Sequence, residues 1–402
     1  MPNFTPEQLA LQSLDAPPLS PAASRRFLQQ YRPTEHAAGL DALAARLDHL
    51  PLALELAGRY LQSHSLSVPV YEEQLQRAVE YRSAQKWRGN PTRHNLILYA
   101  ACDVSWEQVR SLDARRLFLL AGQCAPNAPI PPELLEKAAA QKSAPGFWER
   151  FIYQLIGYRI ISKNSTRIAY TEALSTLVNL GLLTAGEAGP RSHPFLAHYA
   201  RHLAQEEAGG ETPLPLRKIV EALELLTYQA NEMHQPTWFR PLRPHVEHVA
   251  AAAEKAGLAK ASSLWNNLGY YLQSLADPEG ARSAFERALQ AAERICGAGQ
   301  VALTLNNLGS TFQDLGDLSA ARVAYERASH LARQSYGDNH PQVAAVQNNL
   351  GSVLYAQGDL AGARAAFRRA LRILEKSLPP GHSHIKNVKN SLQTLQEAVT
   401  HD

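Results

Sequence analysis

The sequence predicts a mainly α-helical protein: a helical bundle, then a three-helix domain with a small β-hairpin, then a superhelix of repeated helix pairs. Three observations predict it. The string Asn-Asn-Leu-Gly begins at Asn266, Asn306 and Asn348, at steps of 40 and 42 residues. Leucines at helical spacing occupy the N-terminal part, and a Gly-rich turn at 186–190 separates two short segments. Self-similarity at such a period is typical of a solenoid whose units stack around one continuous core.

The N-terminal region, residues 1–92, predicts a helical segment. Residues 6–30 indicate two short helices, the second of which has Ser20 as its N-cap and Pro21 in its first turn. From Leu40 the apolar positions follow helical spacing until Pro51, which must end one helix and open the next. The segment ends in the turn-forming residues Gly-Asn-Pro, which are typical of a domain boundary.

Residues 93–204 predict a second domain. Helices are expected over 113–120, 133–139 and 172–180, and the Gly-rich turn predicts a β-hairpin directly after them. Aromatic residues are dense between 142 and 170, and this stretch is either a helix packed on the domain or a partner surface. Residues 205–215 predict a linker.

Within each C-terminal repeat, the glycine of the string is followed at fixed offsets by alanine, an aromatic ring and alanine. The three sets are Ala281, Phe285 and Ala288; Ala321, Tyr325 and Ala328; and Ala363, Phe367 and Ala370. Small residues at these offsets predict two antiparallel helices in close approach, with the ring between them. A diverged helix pair from residue 216 and a capping helix at about 384–398 complete the superhelix, 216–402.

These repeats resemble the tetratricopeptide repeat (TPR), in the lengthened form of kinesin light chains and bacterial signalling proteins, over about residues 262–400. The resemblance implies a right-handed superhelix whose concave groove binds a protein or peptide. The implied groove residues, at i, i+4 and i+7 of each first helix, are Asn266, Tyr270, Gln273, Asn306, Ser310, Gln313, Asn348, Ser352 and Tyr355. Alternatively the first asparagines are only solvated, or the second asparagine of each pair ties adjacent repeats together.

The string His49-Leu50-Pro51-Leu52-Ala53 resembles the Gly-Leu-Pro-Leu-Ala motif of NB-ARC ATPases, members of the STAND class of signal-transduction NTPases. Taken alone, it is a proline that opens an apolar helix. The resemblance implies that Pro51 packs against the adenine of a bound nucleotide, and His49 replaces the usual glycine. The same resemblance makes residues 93–204 a winged-helix-like domain. It also places His193 in the family's Met-His-Asp motif, at the phosphate side of ADP, with Pro194 in place of the aspartate.

No phosphate-binding string Gly-x-x-x-x-Gly-Lys-Ser/Thr occurs in the sequence. We therefore expect the nucleotide-binding α/β domain of the family to be missing, and ADP or ATP to bind only if a P-loop domain is supplied by a partner. No catalytic constellation and no metal-ligand spacing occurs either, so the prediction is a non-enzyme without a metal or cofactor of its own.

The leading hypothesis is a non-catalytic scaffold or sensor module of a STAND-type regulatory protein of bacterial type, with a protein or peptide in the TPR groove. The alternative is a transcriptional regulator that places the winged helix on DNA. The third predicted helix, 172–180, contains no basic residue, which makes nucleic acid a poor partner. A metabolic enzyme is the third and weakest hypothesis.

Composition and charge limit the predicted binding partners and cellular location of the protein. A net charge of +3 implies no general attraction to nucleic acid or membrane. No apolar stretch has membrane-spanning length, the N-terminus lacks a signal-peptide pattern, and the three cysteines have no metal or redox spacing. These features predict a cytoplasmic protein that does not bind membranes.

Overall fold

The computed structural model of the chain describes residues 17–64, 66–85, 92–140 and 165–401. Its internal contacts form two compact units, residues 1–222 and 223–402. The predicted helix within residues 6–16 lies outside the described residues, as does most of the aromatic-rich stretch 142–170. No helix in the described part of the chain is both long and apolar enough to cross a membrane.

The first unit is built from helices. They are α1 (Pro21–Tyr31), α2 (Ala37–Arg46), α3 (Pro51–His64), α4 (Val68–Ala84), α5 (Arg93–Glu107), α6 (Leu112–Ala121), α7 (Pro132–Ala140), α8 (Ser165–Asn179) and α9 (Pro194–Ala208). The predicted start of α1 is confirmed, since the Ser20 hydroxyl accepts a hydrogen bond from the Ala23 amide at 3.3 Å. Helix α5 was not predicted, although Thr92 caps it in the same way.

A buried ion pair joins α4, α5 and α9. The Arg82 guanidinium donates two hydrogen bonds to the Asp103 carboxylate, at 2.6 and 2.5 Å, and lies 5.3 Å from the centre of the Tyr99 ring. The Tyr199 hydroxyl of α9 donates to the same carboxylate at 2.7 Å. Because Arg82 is only 3% exposed, each partner satisfies a charge that water does not reach. The pair therefore fixes how these three helices pack.

Helix α3 also secures the end of α8. Arg59 donates to the Val178 carbonyl at 3.1 Å and Ser63 to the Asn179 carbonyl at 3.2 Å. These carbonyls belong to the last turn of a helix, where no intrahelical amide is available. Gly181 follows in the left-handed region, with φ of 74°. The helix that carries Pro51 is thus attached to the helix that was predicted to be third in the second domain.

The predicted β-hairpin at 181–194 is wrong. Within the described residues there is no strand, and the segment holds one antiparallel bridge, in which Thr184 and Arg191 exchange backbone hydrogen bonds of 2.9 and 2.8 Å. The strand pairing cannot extend beyond this bridge, because the residues on both sides of it belong to the ends of neighbouring helices. The Leu182 and Leu183 amides bond back to the Leu177 carbonyl to close α8, and residue 193 is already the N-cap of α9.

The second unit is a stack of helix pairs. It contains the C-terminal part of α10 (Leu214–Glu232), then α11 (Pro236–Phe239), α12 (Arg243–Lys255), α13 (Lys260–Ser274), α14 (Pro278–Ile295), α15 (Ala298–Asp314), α16 (Leu318–Tyr336), α17 (Pro341–Ala356), α18 (Leu360–Ser377) and α19 (Ser383–His401). From α12 onward each helix packs against the next. The predicted linker is partly helical, since residues 205–208 belong to α9, which ends at Gly209 with φ of 58°.

The predicted role of the repeat glycines is confirmed. A Cβ atom placed on Gly269, Gly309 or Gly351 would lie 2.6–2.7 Å from the ring that follows it in the repeat, which no real Cβ tolerates. The three rings and the alanines around them are 0–5% exposed. Each pair is closed by an aspartate whose carboxylate accepts an amide hydrogen bond of 2.8–2.9 Å from the next helix: Asp277, Asp317 and Asp359.

Candidate functional site

A row of asparagines connects the first helices of successive repeats. The second asparagine of each pair donates its amide to the first helix of the preceding repeat: Asn267 to Thr227 Oγ1 at 2.9 Å, Asn307 to Asn266 Oδ1 at 3.1 Å, and Asn349 to Asn306 Oδ1 at 3.0 Å. We call this row the interrepeat ladder. Its hydrogen bonds fix the register between neighbouring repeats, which is the alternative that the sequence had left open for the second asparagines.

Asn266 is the centre of the ladder. Its Nδ2 donates to the Ser262 carbonyl and to Thr304 Oγ1, both at 3.0 Å, while its Oδ1 accepts from Asn307. The side chain is 4% exposed. Both donors of this buried amide are used, so it has none left for a peptide. The residue that the resemblance places in the groove is therefore an interior link between repeats.

Tyr270 and Gln273 each bond to the first helix of the next repeat and also reach the surface. The Tyr270 hydroxyl donates to Asn307 Oδ1 at 2.8 Å, and Gln273 Nε2 donates to Thr311 Oγ1 at 3.2 Å. Tyr270 is nevertheless 43% exposed, and Gln273 is half-buried. Each side chain is held by its polar end, so the remainder is presented to solvent in a fixed position.

The middle repeat keeps spare donors. Asn306 Oδ1 accepts from Asn349, and Gln313 Oε1 accepts from the Tyr325 hydroxyl at 2.8 Å. Among the described residues neither amide nitrogen has a hydrogen-bond partner, and both side chains are half-buried. Ser310 is half-buried as well, and it contacts the Tyr325 hydroxyl. Two oriented amide donors, about two helical turns apart on α15, are suited to the carbonyl groups of an extended peptide.

The ladder ends at the third repeat. Asn348 Oδ1 is buried and has no partner in the described part of the chain. Forty-two residues after Asn349 the matching position holds Ser391, whose hydroxyl donates to the Asn387 carbonyl of its own helix at 3.1 Å. Serine is too short to continue the ladder, so the side-chain oxygen of Asn348 has no donor from the next repeat position. On the same helix Ser352 donates to the Asn348 backbone carbonyl, and Tyr355 is 38% exposed.

A small pocket opens beside Asn306. It has a volume of about 40 Å³ and is lined by residues of α15, α16 and α17, including Leu303, Tyr336 and Val346. The Tyr336 ring stacks on His340 at 4.7 Å and is 43% exposed. A space of this size holds a few water molecules or a small side chain. The pocket can therefore accept a small side chain beside the Asn306 amide.

The residues implied for nucleotide binding lie at two helix starts of the first unit. Pro51 is the first residue of α3 and is half-buried. His193 caps α9, where its Nδ1 accepts the Phe195 amide at 3.2 Å. A ring nitrogen that accepts a backbone amide carries no proton, so this edge of His193 cannot donate to a phosphate without losing the cap.

His49 occupies a glycine-like conformation. Its φ is 57°, in the left-handed region, and Asp48 before it has φ of 50°. The His49 Nδ1 lies 3.0 Å from Ser24 Oγ, which compensates part of the backbone strain. Glycine adopts this conformation without steric cost, so the position favours glycine over a residue with a side chain.

Replacement of His49 tests this explanation. His49→Gly is expected to change the free energy of unfolding by less than about 1 kcal/mol, because the relieved strain offsets the lost Ser24 contact. His49→Val should lower it by about 2 kcal/mol, since a β-branched residue resists positive φ. Urea denaturation of both variants measures the difference, and equal losses would exclude the backbone as the cause.

Within the described residues no three His, Cys, Asp or Glu side chains gather closely enough to hold a metal ion. All three cysteines are free thiols. Burial raises the pKa of Cys102 and of Cys124 well above the ordinary range, so both remain protonated and unreactive.

Comparison with known proteins agrees with the repeat geometry. Residues 260–331 and 300–376 each match the family model of the tetratricopeptide repeat. Residues 260–376 are tetratricopeptide repeats. A search of the curated proteins returned no match. The predicted TPR is thereby confirmed, whereas the NB-ARC and winged-helix assignments of the first unit stay predictions.

Solved structures with similarity to this chain include two that contain TPR or TPR-like repeats. BtubC (BKLC) from P. vanneervenii is 21% identical over 50% of this chain and 80% of its own, with a TM-score of 0.40. A putative kinesin light chain from Podosopora anserina is 16% identical over 45% of this chain and 87% of its own, with a TM-score of 0.38. A STAND protein with a TPR sensor from Pyrococcus horikoshii is 11% identical, with a TM-score of 0.28; the alignment covers 93% of this chain and 61% of that protein. At these scores no functional conclusion rests on the likeness.

Proposed function

We propose that the chain is a non-catalytic scaffold or sensor module of a STAND-type regulatory protein, and that its TPR groove binds an extended peptide of a partner protein. The supporting observation is the row of exposed or half-buried polar side chains that recurs on α13, α15 and α17. Its members are Tyr270, Gln273, Asn306, Ser310, Gln313, Ser352 and Tyr355. We call this row the groove row.

The ladder and the groove row have different roles: the ladder positions the repeats, and the groove row contacts the ligand. Asn266 and the second asparagines set the distance between repeats, so the groove row is positioned before a ligand arrives. Tyr270 and Tyr355 then supply large, rigid contact surfaces near the two ends of the row, and the Asn306 and Gln313 amides supply donors between them. A preorganised surface loses little conformational entropy on binding, which favours affinity.

The first unit is proposed to serve a nucleotide-binding P-loop domain supplied by a partner, in the cytoplasm. Pro51 and His193 would then face the adenine and phosphate sides of ADP. Without that domain neither residue supplies the amide cradle that a triphosphate needs. The chain alone is therefore expected to hydrolyse no ATP and to leave the fluorescence of a labelled ADP unchanged.

The groove is tested by selection of peptides from a random display library on the full chain. The selected peptides should bind Tyr355→Asp at least tenfold more weakly than the unmodified chain, because the exposed ring is lost and a charge faces the ligand. Fluorescence polarisation with labelled peptide measures the change. Val323→Asp is the matched control, since Val323 is 64% exposed on α16, a second helix of the repeats.

Equal binding by the two variants would place the peptide site elsewhere. Weakened binding by Val323→Asp alone would assign it to the second helices, which also contradicts the proposal. Circular dichroism of both variants should match that of the unmodified chain, because both replaced side chains are exposed.

A further inference from the structure

The second helix of the third repeat carries an unpaired row of cations. Arg364, Arg368, Arg372 and Lys376 follow one another at every fourth residue of α18, on the side opposite its buried Ala366, Phe367 and Ala370. Arg364 is half-buried and the other three are exposed. None of the four makes an ion pair within the described residues. We call these four residues the basic row.

The first two positions of the row hold an ion pair in each of the other two repeats. On α14 Arg282 pairs with Glu286 at 3.7 Å, and on α16 Arg322 pairs with Glu326 at 2.8 Å. The residue that corresponds to these two glutamates on α18 is Arg368. Like charges four residues apart destabilise a helix, whereas a Glu and Arg at this spacing stabilise it. The third repeat therefore lacks a local stabilising pair that its two neighbours have.

The acidic residues around the basic row do not offset its positive charge. Residues 360–389 contain seven lysines and arginines and one acidic residue, Glu375, which Lys389 already engages at 2.9 Å. Arg369 is bound to Asp338 at 3.2 Å and lies outside the row. The whole chain has a net charge of only +3, so the positive charge is concentrated in this repeat.

We propose that the basic row binds an acidic helical segment of a partner protein, whose carboxylates are spaced one helical turn apart. Successive members of the row are about 6 Å apart along the axis, and the row is about 18 Å long. Carboxylates at i, i+4, i+8 and i+12 of a second helix have the same spacing. Guanidinium groups bind carboxylates through two parallel hydrogen bonds, which suits a row that is mostly arginine.

Other anionic partners fit this face less well. Between Arg364 and Lys376 the exposed residues outside the row are Ala365 and Glu375, so there is no aromatic ring on which a base could stack. Neither residue offers a large apolar side chain for insertion into a lipid surface. This site is separate from the groove row on the first helices, and its test does not depend on the groove.

The test uses the full chain and a labelled helical peptide with glutamate at four positions spaced by four residues. Its control peptide carries glutamine at those positions. Fluorescence polarisation should show binding of the glutamate peptide only, weaker at 300 mM than at 50 mM salt. The substitution Arg368→Glu should weaken binding about tenfold, since it removes a cation and introduces repulsion.

Arg368→Glu also restores the pair found in the other repeats, so it should fold at least as stably as the unmodified chain. Arg240→Glu, at an exposed arginine directly after α11, makes the same change in net charge and should bind as before. Equal loss in both variants, or no binding of the glutamate peptide, would overturn the proposal. Binding of random duplex DNA or phosphatidylserine vesicles that only Arg368→Glu abolishes, with no peptide binding, would assign the row to those partners instead.

Discussion

Asp103→Ala is expected to lower the free energy of unfolding of the first unit by about 3–5 kcal/mol. The substitution leaves the Arg82 guanidinium, 3% exposed, without the carboxylate that accepts two of its hydrogen bonds. It also leaves the buried Tyr199 hydroxyl without its acceptor. A buried charge that loses its partner costs far more than an ordinary hydrogen bond, because water cannot replace the lost contacts.

Urea titration with pulsed hydrogen exchange and mass spectrometry measures this effect, since peptides of the two units are read separately. The matched control is Glu73→Ala, which breaks the exposed pair of Glu73 with Arg77 on α4 and should cost less than about 1 kcal/mol. A similar small loss for both variants would mean that the Arg82–Asp103 pair does not organise the unit.

Asn266→Ala is expected to lower the free energy of unfolding of the repeats by about 3 kcal/mol. The alanine removes two donated hydrogen bonds and the acceptor of Asn307, all in a site closed to water. Asn307 Nδ2 then remains buried without a partner, and that desolvation is the largest part of the cost. The loss should be concentrated in α13 and α15, which the ladder joins.

Asn348→Ala is the matched control for the ladder. Asn348 has the same place in its repeat, but its Oδ1 is buried and bonded to no described residue. Removal of an unsatisfied oxygen, together with the better helix propensity of alanine, should leave stability within about 1 kcal/mol of the unmodified chain. Hydrogen exchange of α13 and α17 peptides compares the two, and equal costs would contradict a ladder that ends at the third repeat.

The repeat architecture was predictable because its determinants are local and recur in register. Gly269 and its counterparts admit no Cβ against the following ring, and Asp277, Asp317 and Asp359 cap the next helix wherever they occur. The hairpin was not predictable, because its length depends on where the backbone amides of Leu182 and Leu183 bond in three dimensions. Helix α5 was missed since its apolar residues, including Ile97, Leu98 and Ala100, surround the helix and give no one-sided period.

The groove was only partly predictable. Spacing identifies residues that share a helix face, and it assigned Tyr270, Gln273 and Tyr355 to a face on which they are exposed or half-buried. It could not decide which asparagines are buried between repeats, because that depends on how adjacent first helices pack. Asn266 is one of the buried asparagines, at 4% exposed. The basic row on α18 could be predicted, because Arg368 interrupts the Arg–Glu pattern when the three repeats of the sequence are aligned with one another.

The most direct test of the proposed groove is hydrogen exchange of the full chain with and without a peptide selected by display. Protection is expected in α13, α15 and α17, at the amides beneath Tyr270, Gln313 and Tyr355, while α14, α16 and α18 exchange as before. Protection confined to the second helices, or spread evenly over both helices of each pair, would contradict a peptide bound along the groove row.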